Sequence, residues 1–287
     1  MSNSYYSPGR FSVFPPVIKN LLIINVLCFF ATIVLKETFQ IDLYKLLGLH
    51  YFKSNIFSPH QFITYMFMHG SFGHLFFNMF ALWMFGSAIE NFWGSKRFLI
   101  FYLITGIGAA LTHYLIIHIQ LSPDITLIQN AIQSPDINTL KELIAHHKFH
   151  IHEYSGEIWN QFLVFQENIY TLQLAPNNSD AMEQISLFLN NYLEYFVSLP
   201  NVVGASGSVY GLLLAFGMLF PNSMIYIYFL FPMKAKWFVL IFGLIELAAG
   251  IFSSGDGIAH FAHLGGMIFG LLLIILWQNK SKSHYKQ

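Results

Sequence analysis

Ser206 lies in Gly204-Ala205-Ser206-Gly207-Ser208 at the head of an apolar run, and a later run opens Ala259-His260-Phe261-Ala262-His263-Leu264-Gly265-Gly266. A serine hydroxyl becomes a useful nucleophile only beside a group that takes its proton, and a neutral imidazole is the commonest such base. Polar side chains within membrane-length segments are expensive, so each is a candidate for function. A packing role competes at Ser206: its neighbours are small, Gly211 follows a turn later, and small residues let membrane helices approach closely. The Gly-x-Ser-x-Gly elbow of the α/β-hydrolases is not met, because position 208 is serine and no strand precedes it. Gly266 and Gly270 form a Gly-xxx-Gly face, and His263, three residues before Gly266, shares that side of the helix. If this face meets Gly207 and Gly211, His263 reaches Ser206. His260 is one turn away and the weaker base.

Another apolar run carries His69, His74 and Asn78, the last two at i and i+4 on one helix face. Fixed donors there suit a developing oxyanion. His74, Asn78, His260 and His263 also admit a metal reading, but His-Glu-x-x-His is missing and no carboxylate is placed as its base. No metal and no cofactor are expected. Tyr210, one turn after Ser206, can pack on the His263 ring or serve as an ordinary core aromatic. Glu246 is an acid within an apolar run, with no evident partner. The cluster from His146 to His152 reads as a solvated helix end and loop.

These residues need helices in a bilayer to position them. The chain is 55% hydrophobic and only 10% charged, against about 25% charged in soluble domains. Net charge is zero, which argues against a nucleic-acid partner. Cys28 is the only cysteine, so no internal disulfide is possible. A membrane helix needs roughly 20 mostly apolar residues. Six spans are expected: Val17–Leu35, Leu75–Glu90, Phe98–Ile117, Val203–Phe220, Trp237–Phe252 and Ile258–Trp277. The short apolar piece Met224–Phe231, closed by Pro232, reads as an extension or interfacial segment. With the N-terminus inside, Arg10, Lys19, Lys96, Arg97, Lys234, Lys236, Lys280, Lys282 and Lys286 fall inside, and five lysines fall in longer outer loops. That asymmetry favours cytoplasmic termini. No small-residue cleavage site follows the first run, which reads as a retained helix.

The fold class expected is all-α and polytopic: a cytoplasmic segment 1–16, helices one to three with the first outer loop over 17–118, and an extramembrane, mainly helical insertion over 119–200. Helices four to six with the serine and histidine occupy 201–278, followed by a tail over 279–287. The Phe39–Thr64 stretch reads as an interfacial structured loop, and either the fifth helix or the Gly-bearing Ser253–Gly257 linker as the part that moves to admit substrate.

The three motifs, in this order, resemble the rhomboid family of intramembrane serine proteases. They are His69 with His74-xxx-Asn78, Gly204-Ala205-Ser206-Gly207 with Tyr210, and His263-Leu-Gly-Gly266-xxx-Gly270. Glu90-Asn-Phe-Trp-Gly94-Ser95 also resembles the family's turn between the second and third helices. The resemblance implies a six-helix bundle, Ser206 as nucleophile, and His263 rather than His260 as base, in a dyad without aspartate. It implies an oxyanion hole from His74, Asn78 and the Ser206 amide, and transmembrane protein substrates met in the lipid bilayer. Two features depart from it: His60-Gln61 stands where many members carry Trp-Arg, and the 120–200 segment is longer than the usual third outer loop. An inactive membrane-protein-binding relative is the alternative, disfavoured because both serine and histidine are present. A transporter is disfavoured because the chain shows no repeated half. A bacterial inner membrane is the expected location.

Overall fold

A helix occupies each of the six expected apolar runs. The computed structural model describes residues 11–227, 230–252 and 259–284. Its helices are α1 (Pro16–Phe39), α2 (Leu43–Leu47), α3 (Gln61–Thr64), α4 (Phe72–Trp93), α5 (Ser95–Gln133), α6 (Ile137–His146), α7 (Glu157–Leu174), α8 (Ser179–Ser198), α9 (Ser206–Leu219), α10 (Ala235–Phe252) and α11 (His260–His284). Four short strands accompany them: β1 (Leu49–His50), β2 (Asn201–Val202), β3 (Met224–Ile227) and β4 (Phe231–Lys234). Among the described residues, five helices, α1, α4, α5, α10 and α11, are long and apolar enough to cross a membrane. The sixth, α9, is apolar but has only 14 residues, about 21 Å of helix.

Two expectations about the elements are corrected. The third helix does not stop near Ile117 but runs on through Pro123 to Gln133. An interior proline costs about 3 kcal/mol or more. Against that, Ile125, Ile128 and Ala131 are buried, and burying each isoleucine contributes about 1.5–3 kcal/mol. The piece after α9 is neither an extension nor a single interfacial segment. Met224–Ile227 pairs antiparallel with Phe231–Lys234, Tyr226 opposite Pro232. A two-stranded ribbon has only edge strands, where a proline without an N–H is tolerated.

The chain divides into two compact units: Met1–Leu49, Pro59–His113 and Val202–Gln287 form one, His50–Ser58 and Tyr114–Asn201 the other. In the first, helices bury one face and leave apolar residues on the rest. On α1 the buried set is Ile18, Leu21, Asn25, Phe29 and Thr32, spaced by three or four, while Leu27, Phe30 and Ile33 are exposed. An exposed apolar surface of this extent belongs in lipid. Arg97 lies over the rings of Trp93 and Trp277, 5.2 and 4.2 Å from their centroids, tying the start of α5 to the ends of α4 and α11.

In the second unit, α8 begins at the Asn178 cap and α6 at the Asp136 cap. Phe165, Phe188 and Tyr192 are buried, and Phe149 joins them, 4.8 Å from Tyr192. His147 is not part of a solvated face. It is buried, its Nδ1 is 2.8 Å from Asp124 Oδ1, and its Nε2 is 2.8 Å from the Tyr192 hydroxyl. Burial pushes the Tyr192 phenol up, so it stays protonated and donates to the imidazole. His146, His150 and His152 are exposed, as expected.

Glu90 is a polar fastening of the first unit. It is 2% exposed and accepts the backbone N–H groups of Val17 and Ile18 at 3.0 and 2.9 Å and the Ser95 hydroxyl at 2.6 Å. Those amides are first-turn donors of α1 that have no partner within the helix, and the positive end of the helix dipole favours an anion there. Glu90→Ala is expected to lower stability by about 2–3 kcal/mol, read as a drop in unfolding temperature in detergent. An unchanged midpoint would show that Glu90 does not anchor α1.

Candidate active site

The site is built on the start of α9. Gly204 holds φ at +128° and donates its N–H to the Tyr65 carbonyl at 2.9 Å. A Cβ at 204 would stand 2.7 Å from both Cε1 and Nε2 of His74, so this position needs glycine for its dihedral and for its space. The chain then turns into α9 at Ser206, with Ala205 as an N-cap that supplies no side-chain acceptor. The first amides of the helix are therefore left as free-ended donors at its positive end.

α11 crosses α9 at backbone contact. A Cβ on Gly266 would lie 1.9 Å from the Gly207 carbonyl oxygen, and one on Gly211 would lie 3.0 Å from the Gly266 oxygen. A Cβ on Gly270 would lie 3.5 Å from the Gly211 Cα, and one on Gly207 would meet Ala109 of α5 at 2.4 Å. The two glycine faces read from the sequence thus meet each other. Three residues before Gly266, His263 is carried to the serine, with Nε2 2.8 Å from Ser206 Oγ. Tyr210 stacks on the His263 ring, centroids 4.2 Å apart and planes within 7°.

The structure brings Ser206, His263, Tyr210, Gly204 and His74 together. Asn78 is buried, and its Nδ2 donates to the His74 carbonyl at 3.0 Å, which leaves the amide's second hydrogen for another acceptor. His69 is buried, its ring edge-on to His74 with centroids 5.1 Å apart. The Ser253–Gly257 linker lies outside the described residues.

Glu246 differs most from its expectation. It is not partnerless: Oε2 accepts from Nδ1 of His260 at 2.7 Å and from Nδ1 of His263 at 2.9 Å, and Oε1 accepts from the Tyr210 hydroxyl. The signal available was its register. Glu246 lies seven residues after Val239 and shares the inward stripe of α10 with Val239 and Ala235. Which residue it met depended on the α10–α11 packing, which no local pattern specifies.

Glu246, His260 and His263 bring three possible metal ligands within 4.8 Å of one another. Ligand atoms around a tetrahedral zinc with ~2.0 Å bonds stand about 3.3 Å apart. The contacts of 2.7 and 2.9 Å here are those of hydrogen bonds.

Fold and site together define a helical integral membrane protein with a serine and an imidazole in contact between two helices. The rhomboid domain matches residues 57–121 and 181–280, more than half of the chain, and the protein belongs to the rhomboid family. Residues 122–180 lie outside the matched segments, whereas nearly all of α8 lies within them. A comparison with curated proteins gave no match.

Gly266→Ala must push α11 off the Gly207 carbonyl. A loss of about 1–3 kcal/mol is expected, measured by thermal unfolding in detergent. Gly73→Ala, where a Cβ meets nothing within 4 Å, is the matched control and should be neutral. Equal midpoints for the two variants would contradict the close crossing.

Proposed function

We propose that this protein is an intramembrane serine endopeptidase that cleaves transmembrane or juxtamembrane segments of other membrane proteins. The observation that carries the reading is the 2.8 Å contact between His263 Nε2 and Ser206 Oγ, on two helices locked by glycine contacts. Ser206 attacks the scissile carbonyl while Nε2 takes its proton. The same proton passes to the leaving amine, and water then hydrolyses the acyl-enzyme. Family membership supports the assignment of roles.

The developing oxyanion is met by the Ser206 amide at the start of α9, with His74 and Asn78 as side-chain donors. A helix start suits this task because its amides point outward and the dipole favours negative charge. The short α9 supports chemistry below the membrane surface: about 21 Å of helix in a hydrocarbon core of about 30 Å keeps one end inside it. In this reading both termini are cytoplasmic, the membrane is a bacterial inner membrane, and the segment over 119–200 lies outside the bilayer.

Purified protein in liposomes with a transmembrane substrate tests the assignment. Ser206→Ala and His263→Ala should each lower cleavage on the order of 10³-fold or more, and Ser206→Ala should abolish labelling by a fluorophosphonate. Folded wild-type protein that neither cleaves nor labels would instead favour a binding role. The oxyanion donors make a separate prediction. His74→Ala should lower kcat about 10²-fold with little change in KM. Asn78→Ala should cost less, since one of its two hydrogens already serves the His74 carbonyl. A pure KM effect for His74→Ala would place it in substrate binding instead.

A further inference from the structure

We infer that Glu246 is a positioning residue for His263, so that the site works as a Ser206–His263–Glu246 triad rather than as a serine–histidine dyad. The inference rests on the protease reading for its kinetic consequence and on geometry for its structural one.

A carboxylate can only accept hydrogen bonds. With Oε2 2.9 Å from His263 Nδ1, the imidazole proton sits on Nδ1. Nε2 is then left with its lone pair toward Ser206 Oγ, 2.8 Å away. That is the tautomer a general base needs, and nothing in a free imidazole selects it. When Nε2 takes the serine proton, His263 becomes a cation within an apolar bundle. A negative oxygen already in contact stabilises that charge where the surroundings screen it little. Throughout the step the Nδ1 proton stays on His263 and Glu246 keeps its charge.

The acid is itself held. The Tyr210 hydroxyl donates to Oε1 and His260 Nδ1 donates to Oε2 at 2.7 Å, so neither oxygen is left without a donor. Glu246, His260 and His263 are 7, 9 and 8% exposed. Around Glu246 on α10, Leu244, Ile245 and Leu247 are exposed apolar residues. An acid in such a helix is expensive unless fully partnered, and its partners are the candidate base, the ring stacked on that base, and a second histidine. His260 and Tyr210 thereby act through Glu246 on the orientation of His263.

A purely structural role, fastening α10 to α9 and α11, predicts lost stability and nothing else. Glu246→Gln separates the two. It keeps the shape and an acceptor for Tyr210, but its NH2 can donate to Nδ1 and drive the His263 proton to Nε2. Cleavage by full-length protein in liposomes is expected to fall 10³- to 10⁴-fold in kcat, with KM changed less than about threefold and the unfolding midpoint nearly kept. Glu246→Asp, which restores an acceptor, should recover at least about tenfold over Gln. Nitrogen-15 NMR of histidine-labelled protein in detergent reads the tautomer without turnover. His263 should be Nδ1-protonated in wild type and Nε2-protonated in Glu246→Gln. If wild type cleaves, Ser206→Ala does not, and Glu246→Gln keeps wild-type kcat, the positioning role is overturned. If wild type fails to cleave, the protease reading falls, and the NMR alone decides: an unchanged His263 tautomer in Glu246→Gln overturns the inference.

Discussion

The approach of α11 to α9 at backbone contact is the constraint on which the site depends. Where a Gly266 Cβ would come 1.9 Å from the Gly207 carbonyl, no side chain fits, and the helices sit closer than any pair of larger residues permits. His263 and Ser206 lie within three residues of those glycines, so their 2.8 Å contact follows from the backbone distance rather than from a reach of long side chains. Neither residue has much freedom to lose: serine has one side-chain torsion, and the imidazole is fixed by the face of Tyr210. In lipid, where apolar burial gives helices little reason to associate, such close packing is a main source of association.

The second constraint is the partnering of buried polar groups. Each acid embedded among apolar runs meets donors on other helices. Glu90 takes two amides of α1 and a serine of α5, and Glu246 takes two imidazoles of α11 and a phenol of α9. Buried Thr105 solves the same problem within its own helix, and buried Ser208 solves it across helices. Thr105 returns its hydroxyl to the carbonyl four residues back, and Ser208 gives its own to the Tyr102 carbonyl. These bonds fix which faces of the helices meet, because an acid turned toward lipid would lose them all.

Much of this was legible in the sequence because the governing patterns are local. Small-residue spacing at Gly207, Gly211, Gly266 and Gly270 specifies a crossing, and His263 follows by counting from Gly266. Three classes of feature were not legible. The extension of α5 past Pro123 depends on tertiary burial of Ile125 and Ile128, which outweighs a local helix breaker. The β3–β4 ribbon carries a proline within a strand, a signal that argues against one. The partners of Glu246 lie 14, 17 and 36 residues away, on helices whose rotation about their own axes no periodicity gives.

Among the described residues, His147, His260 and His263 each set Nδ1 against a carboxylate oxygen, and the contrast between His147 and His263 bears on function. His147 and His263 each have Nδ1 against a carboxylate oxygen, Asp124 in one case and Glu246 in the other. In the first, Nε2 is taken by the Tyr192 hydroxyl, a phenol kept protonated by burial, inside an aromatic cluster. Both nitrogens are consumed and the imidazole is a strut. In the second, Nε2 meets a primary hydroxyl at the start of a helix whose N-cap supplies no side-chain acceptor. Under the proposed function the serine proton passes to Nε2 as its oxygen attacks a carbonyl, and the charge on the imidazole has a carboxylate to rest against. What separates a structural histidine from a candidate base is therefore the group on its far nitrogen, and for His263 that group is the Ser206 hydroxyl.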